Sequence, residues 1–222
     1  MVIQKPTLGG CLHCLGLGFS SQYQSPRQPA GIIKEISYVS GAACLYRLGH
    51  LKELGFFDER LFLYHEDLDC GWLSRLRGGQ SFSLTTPIVY HHYKFSRNPA
   101  KYYYLERNRW LVLLQNYHWL TLLLLSPLLV AAELFLLVQA FKDGWLKQKL
   151  TAYGYFCSRA NWRLIIDRRQ FVQSLRKCPD YLVTATFCTN FNHTEVSNWV
   201  VNYLINPLVS LYWKLLQGLM FW

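Results

Sequence analysis

Acidic residues are scarce in this chain: 13 Asp and Glu stand against 23 Lys and Arg over 222 residues. Charged residues of both signs make up only 16%, where an ordinary soluble domain carries about 25%. So little charge excludes a disordered, self-solvating chain and argues against a purely soluble monomer. No aspartate occurs before Asp58, so no Asp-x-Asp metal motif precedes it. No secretory leader is legible at the start. The cysteines (Cys11, Cys14, Cys44, Cys70, Cys157, Cys178, Cys188) are odd in number and irregular in spacing, so a disulfide scaffold is not expected. Cys11-Leu-His-Cys14 has the look of half a zinc site, but no second Cys/His pair follows at finger spacing.

Apolar surface and one-sided positive charge are what the chain has in quantity. Hydrophobic residues reach 51% and aromatics 16%, and the net charge is +10. The excess is concentrated: residues 142–177 hold nine basic and two acidic side chains, directly after the most apolar stretch. Charge alone admits nucleic acid or an anionic membrane. Trp119, Trp145 and Trp162 around the basic block favour the membrane, and no nucleic-acid-binding module is legible. Trp119–Phe141 is 23 residues with the single charge Glu133, about 34 Å of helix against a hydrocarbon core of about 30 Å. Pro127 interrupts it, and basic residues flank both ends. The positive-inside rule then places both flanks on the cytoplasmic side, so a Pro-broken re-entrant hairpin or an interfacial helix is preferred over a single span. Trp199–Trp222 reads as a second interfacial helix.

Upstream, turn and cap signals organise the chain. Leu48 to Leu54 reads as a short helix ended by Gly55. His65-Glu66-Asp67-Leu68-Asp69 opens a helix with three carboxylates in its first turn, which complement the macrodipole and are good capping on their own account. Gly78-Gly79 end that helix, Gln80–Tyr90 reads as a strand running into His91-His92, and Asn98-Pro99 start another helix. A carboxylate at a helix start beside a sheet edge can accept a proton from a hydroxyl nucleophile, and a histidine at a strand end can ligate a divalent cation.

Ser40-Gly-Ala-Ala-Cys-Leu-Tyr-Arg47, Leu54-Gly-Phe-Phe-Asp-Glu-Arg60, Phe62-Leu-Tyr-His-Glu-Asp-Leu-Asp69, Trp72 and Val89-Tyr-His91 resemble, in order and spacing, the acceptor-side half of family 2 glycosyltransferases. Tyr93-Lys-Phe-Ser-Arg-Asn-Pro99 and Lys101-Tyr-Tyr-Tyr-Leu-Glu-Arg-Asn-Arg109 resemble its rhamnosyltransferase-like branch. The likeness covers most of residues 10–145 and is densest over 37–117. It implies an α/β chain: residues 1–117 as part of a GT-A fold, with a Rossmann-like mixed sheet, and 118–222 as a helical membrane-associated region. It further implies Asp67 as the acceptor base with Glu66 supporting it, and Ser40, Gly41, Ala42 and Trp72 lining the acceptor. His91 becomes a third ligand to Mg or Mn, and Trp119, Pro127 and Trp145 face the membrane. The implied reaction is inverting transfer of a sugar, rhamnose by branch likeness, from a nucleotide sugar to a lipid-linked or cell-surface glycan at the cytoplasmic face. The family's nucleotide-binding half, with its Asp-x-Asp, has no counterpart before Ser40. Weak nucleotide-sugar and metal binding is therefore expected of this chain alone. The alternative is a non-catalytic membrane-associated module that pairs with a separate nucleotide-binding half.

Overall fold

The computed structural model describes residues 9–20, 29–87, 89, 100–191 and 199–222, and it is a mixed α/β fold dominated by helices. The strands form two small antiparallel sheets. β1 (Gly10–Leu12) pairs with β2 (Gly18–Ser20), Cys11 opposite Phe19. β3 (Ile33–Ile36) pairs with β4 (Ser81–Leu84), Ile33 opposite Leu84. The expected mixed sheet does not form among the described residues. Parallel neighbours need a crossover and a strand to receive it, and each of these short strands has only an antiparallel partner.

Two helices lie between β3 and β4: α1 (Leu48–Glu53) and α2 (Glu66–Leu76). Gly55 and Gly78 close them in left-handed conformation, with φ of 75° and 86°. α2 is the centre of the core. Every residue from Leu68 to Leu76 is buried, which leaves Glu66 and Asp67 as its only partly exposed positions. Trp72 is 0% exposed and meets Tyr117 and Phe187 edge-on at 4.6 and 5.0 Å. The acceptor contact expected of Trp72 is therefore not available to it. It lies on the packed face of α2, where a large aromatic contributes burial and edge-to-face contacts.

Five helices follow: α3 (Ala100–Asn116), α4 (Trp119–Lys142), α5 (Leu146–Tyr155), α6 (Arg159–Leu175) and α7 (Asp180–Val183). A π-helical turn, Val201–Ile205, leads into α8 (Asn206–Gln217). The division at residue 117 is not a division of the core. Leu12, Leu73, Leu111, Leu125, Ile165 and Val209 belong to one buried cluster.

α4 runs unbroken through Pro127, so the re-entrant hairpin expected there is not formed. Proline removes the hydrogen bond to the carbonyl four residues back, here that of Leu123. The Ser126 hydroxyl donates to that carbonyl at 2.7 Å and replaces what Pro127 cannot give. α4 is long and apolar enough to cross a membrane, with mean hydropathy 2.4 and little of its surface covered by the rest of the chain. Trp119, Pro127, Val130, Leu134 and Phe141 are exposed on it. Trp145, expected at the membrane, is instead buried and stacked on Tyr102 at 4.7 Å.

The basic segment 142–177 is also only partly a surface feature. Lys142, Lys147, Arg159, Arg163 and Lys177 are exposed, whereas Lys149, Arg168, Arg169 and Arg176 turn inward. Arg169, Gln173 and Arg176 of α6 reach the last carbonyls of α3. Gln173 Nε2 donates to Gln115 O at 2.8 Å, Arg176 Nη2 to Asn116 O at 2.7 Å, and Arg169 Nη1 to Tyr117 O at 2.9 Å. A helix end leaves its last carbonyls without intrahelical donors and negative in potential. α6 supplies both the donors and the charge.

Candidate functional site

Close approach of two backbones positions the site. Gly71 of α2 sits against Ser37 and Tyr38, where a methyl group would come within 2.8 Å of Tyr38 Cα and 2.9 Å of Ser37 O. Only glycine admits this contact, and it brings the first turn of α2 beside the turn that starts at Ser40. There Gly41 N donates to Asp67 Oδ2 at 3.0 Å, and Leu68 N donates to Asp67 Oδ1 at 2.8 Å. Ser40, Gly41 and Ala42 are exposed around this contact, and the Ser40 hydroxyl accepts from Ala42 N at 3.4 Å. Residues 26 apart in the sequence thus form one edge.

Among the described residues the carboxylates are held without a cation. Burial raises Asp67 above the ordinary aspartate range, against the lowering effect of its backbone donors. Burial raises Glu66 as well, helped by the neighbouring Asp67 charge, and Glu66 Oε2 is buried with no hydrogen-bond partner among the described residues. A carboxyl raised above its ordinary range beside an open turn is a better proton acceptor than a free carboxylate. Asp69 is different. It is buried, accepts from Asn116 Nδ2 at 2.8 Å and lies 3.7 Å from Arg168. Burial pushes its carboxyl up to about 6, and nothing opens it to a substrate.

The loop entering α2 has an unusual backbone. Phe62, Tyr64 and His65 have φ of 55°, 65° and 70°, a region costing of order 1–3 kcal/mol for each non-glycine residue. The His65 ring is fixed by Gly16 O at 3.1 Å, and burial drops its imidazole to about 4, so it is neutral. The loop's carbonyls are collected by Asn108 of α3, whose Nδ2 lies 2.7, 2.8 and 2.8 Å from Leu61 O, Leu63 O and Tyr64 O. Arg107 adds a donation to Arg60 O at 2.6 Å. Sequence reasoning placed Arg107 and Asn108 in a motif but gave them no role. The available signal was Glu106-Arg-Asn-Arg109, four consecutive polar residues in a helix that must bury most of its surface.

His91 lies outside the described residues, as do Asn98-Pro99 and most of the strand end. Among the described residues no three His, Cys, Asp or Glu side chains are grouped to hold a metal. Both Asp67 oxygens are engaged by backbone N–H groups. No protein-family model, curated protein or solved structure matches the chain.

Proposed function

We propose that residues 1–117 form the acceptor side of an inverting, family 2-like glycosyltransferase, with Asp67 as its base. The observation that carries the reading is the bond from Gly41 N to Asp67 Oδ2 at 3.0 Å. It joins two motifs that the resemblance requires to share a site and that the sequence keeps 26 residues apart. Asp67 takes the proton of an acceptor hydroxyl. The freed oxygen attacks the anomeric carbon of the sugar, and the bond to the nucleoside diphosphate breaks with inversion. Glu66, raised by burial and by the neighbouring Asp67 charge, shares the acceptor edge and supports Asp67 there. The sugar is rhamnose by branch likeness alone. Mg or Mn belongs to the complete family enzyme, and tight binding of it is not expected of this chain alone.

The nucleotide-binding half comes from outside the stretch that carries these motifs, in a separate chain or a segment beyond these residues. The acceptor is a lipid-linked or cell-surface glycan, and the chain works at the cytoplasmic face of an anionic membrane. Support for the membrane comes from the apolar exposed surface of α4 and from exposed Lys142, Lys147, Arg159 and Arg163 near its end in sequence. α8 adds to this surface, since Tyr212 donates to Leu124 O at 2.5 Å and leaves Leu208, Leu211 and Leu215 exposed.

Cells lacking the gene, re-expressing the parent or Asp67→Asn at matched levels, provide the test without any assumption about the donor half. Transfer to the surface glycan is expected to fall by about 10²–10⁴-fold in the variant, the usual contribution of a positioned base. Full restoration by Asp67→Asn would move the base elsewhere, and no glycan change on gene loss would leave the non-catalytic module. Calorimetry on the purified chain with nucleoside-diphosphate sugars should show no binding tighter than about millimolar, a free energy near 4 kcal/mol.

A further inference from the structure

The carboxylate pair stands at the end of a strained loop, and α3 holds that loop from behind. We propose that Asn108, braced by Arg107, is the positioning residue of the pair: its side-chain amide gathers the carbonyls of Leu61, Leu63 and Tyr64 and so fixes where Glu66 and Asp67 emerge. The inference takes Asp67 to be the acting base, as proposed above, but neither the geometry nor the titration that tests it uses sugar transfer.

Asn108 is 0% exposed and its polar atoms are fully committed. Nδ2 faces the three loop carbonyls at 2.7–2.8 Å. Oδ1 accepts from Arg107 Nε at 2.9 Å and Nη2 at 2.8 Å, which fixes which end of the amide faces the loop. Arg107 Nη2 continues to Arg60 O at 2.6 Å and Leu61 O at 3.3 Å, and its guanidinium rests 5.2 Å from the rings of Tyr103 and Tyr104. The positive φ at Phe62, Tyr64 and His65 is what turns the carbonyls of this stretch toward a common donor. A chain relaxed to ordinary φ would scatter them. The first residue after the last strained one is Glu66, and the next is Asp67. A side chain serving only the core would have no reason to be an amide at this position, since burying it without its partners is costly. Every partner it has belongs to the loop or to Arg107.

Asp67 supplies the readout. Its carboxyl is raised by burial; Gly41 N and Leu68 N donate to it, and Glu66, the phenols of Tyr38 and Tyr46 and the Cys70 thiol are near enough to feel its charge. Loosening the loop admits water to the first turn of α2 and lets the carboxyl fall. The full chain, labelled with ¹³C in its aspartate carboxyl carbons, is titrated by NMR in detergent, with Asp67→Asn assigning the signal. Asn108→Ala is expected to move the Asp67 midpoint down toward the ordinary carboxylate range, with the circular dichroism of the parent retained. Val112→Ala, which removes a fully buried methyl pair from the same helix, should lower the melting temperature and leave that midpoint in place. An Asp67 midpoint unmoved by Asn108→Ala, or moved equally by Val112→Ala, overturns the proposal. Should Asn108→Ala not fold, Arg107→Lys keeps the charge but cannot brace Oδ1 and Arg60 O together, and the same downward movement is expected. A moved midpoint together with full transfer by Asp67→Asn would leave the clamp standing and remove only the base assignment.

Discussion

Two pairs of carboxylates in this molecule are treated in opposite ways. Glu106 and Glu133 lie among α3, α4 and α5 with two fully buried cations. Lys149 Nζ reaches both acids at 2.6 Å, and Arg109 Nη2 reaches Glu106 at 3.3 Å and also bonds Glu133. Tyr153 donates a further hydrogen bond to Glu133. Glu66 and Asp67 have no cation among the described residues and are raised by their surroundings. The first pair is neutralised, which explains how a glutamate survives in the apolar run of α4. The second is left chemically unspent. An acid whose charge is already matched is holding helices together; one that burial raises beside an open turn is available for proton transfer.

Breaking the matched pair should have the largest effect. Glu106→Gln leaves Arg109 and Lys149, each 0% exposed, to share the single carboxylate of Glu133. Removing one member of a buried ion pair costs about 3–5 kcal/mol, read as a loss of unfolding free energy in urea. Replacing Glu133 and Lys149 together by Leu and Met keeps the count balanced and should cost less than Glu106→Gln alone. If the double variant costs more, the network contributes more than charge balance.

Next comes the carboxylate that belongs to neither pair. Asp69 titrates at about 6 in the fold against an ordinary 3.8. Between these values the native state binds the extra proton, so this group's contribution is greatest below about pH 4 and is lost as pH rises through 6. His13 and His65, both held near 4 by burial, act in the other direction. They are neutral in the fold, and stability falls as pH drops from about 6.5 toward 4. A pH series on the parent would therefore show acid lability from the histidines partly masking Asp69. The difference between Asp69→Asn and the parent isolates it. That difference should grow from near zero at pH 4 to about 3 kcal/mol in favour of the variant above pH 6. A flat difference would mean that Asn116 and Arg168 fully compensate the burial.

What the sequence made legible follows the reach of the interactions involved. Local signals placed α1, α2 and α4 to within a residue or two, because Gly55, Gly78 and the apolar run act over one or two turns. The pair Glu66-Asp67 at a helix start was legible for the same reason. Three things were not. Pro127 looked like a break because the Ser126 hydroxyl bond to Leu123 O depends on a rotamer, not a pattern. The basic segment looked like surface because Arg168, Arg169 and Arg176 find partners 50 or more residues away in Asp58, Tyr117 and Asn116. Trp72 was given an acceptor contact by the resemblance alone, and its burial against Tyr117 and Phe187 comes from residues 45 or more positions away. In the last two cases a distant partner, invisible to periodicity, decided the environment; at Pro127 it was a local side-chain rotamer.

The smallest effects test how the unspent pair is placed, and they come from two glycines of unequal need. Gly71→Ala would set a methyl 2.3 Å from Tyr38 Cβ and 2.8 Å from its Cα. Backbone cannot yield as a side chain tip does, so α2 must shift, at a cost of about 1–3 kcal/mol. The shift carries Asp67 away from Gly41. At Gly41 the same added methyl meets only Asp67 Oδ2 at 3.8 Å and Cβ at 3.9 Å, ordinary contact distances, and φ there is not in the left-handed region. Gly41→Ala should keep both the fold and the bond to Asp67, within about 0.5 kcal/mol of the parent, as surface substitutions do. Measured side by side, the two melting temperatures and the Gly41 amide exchange rate separate placement from lining. If Gly71→Ala leaves the Gly41 amide protected, α2 is not held where it is by that close approach, and the meeting of the two motifs needs another cause. If Gly41→Ala exposes the amide, the turn is set by glycine itself, and this edge is less tolerant than its open surroundings imply.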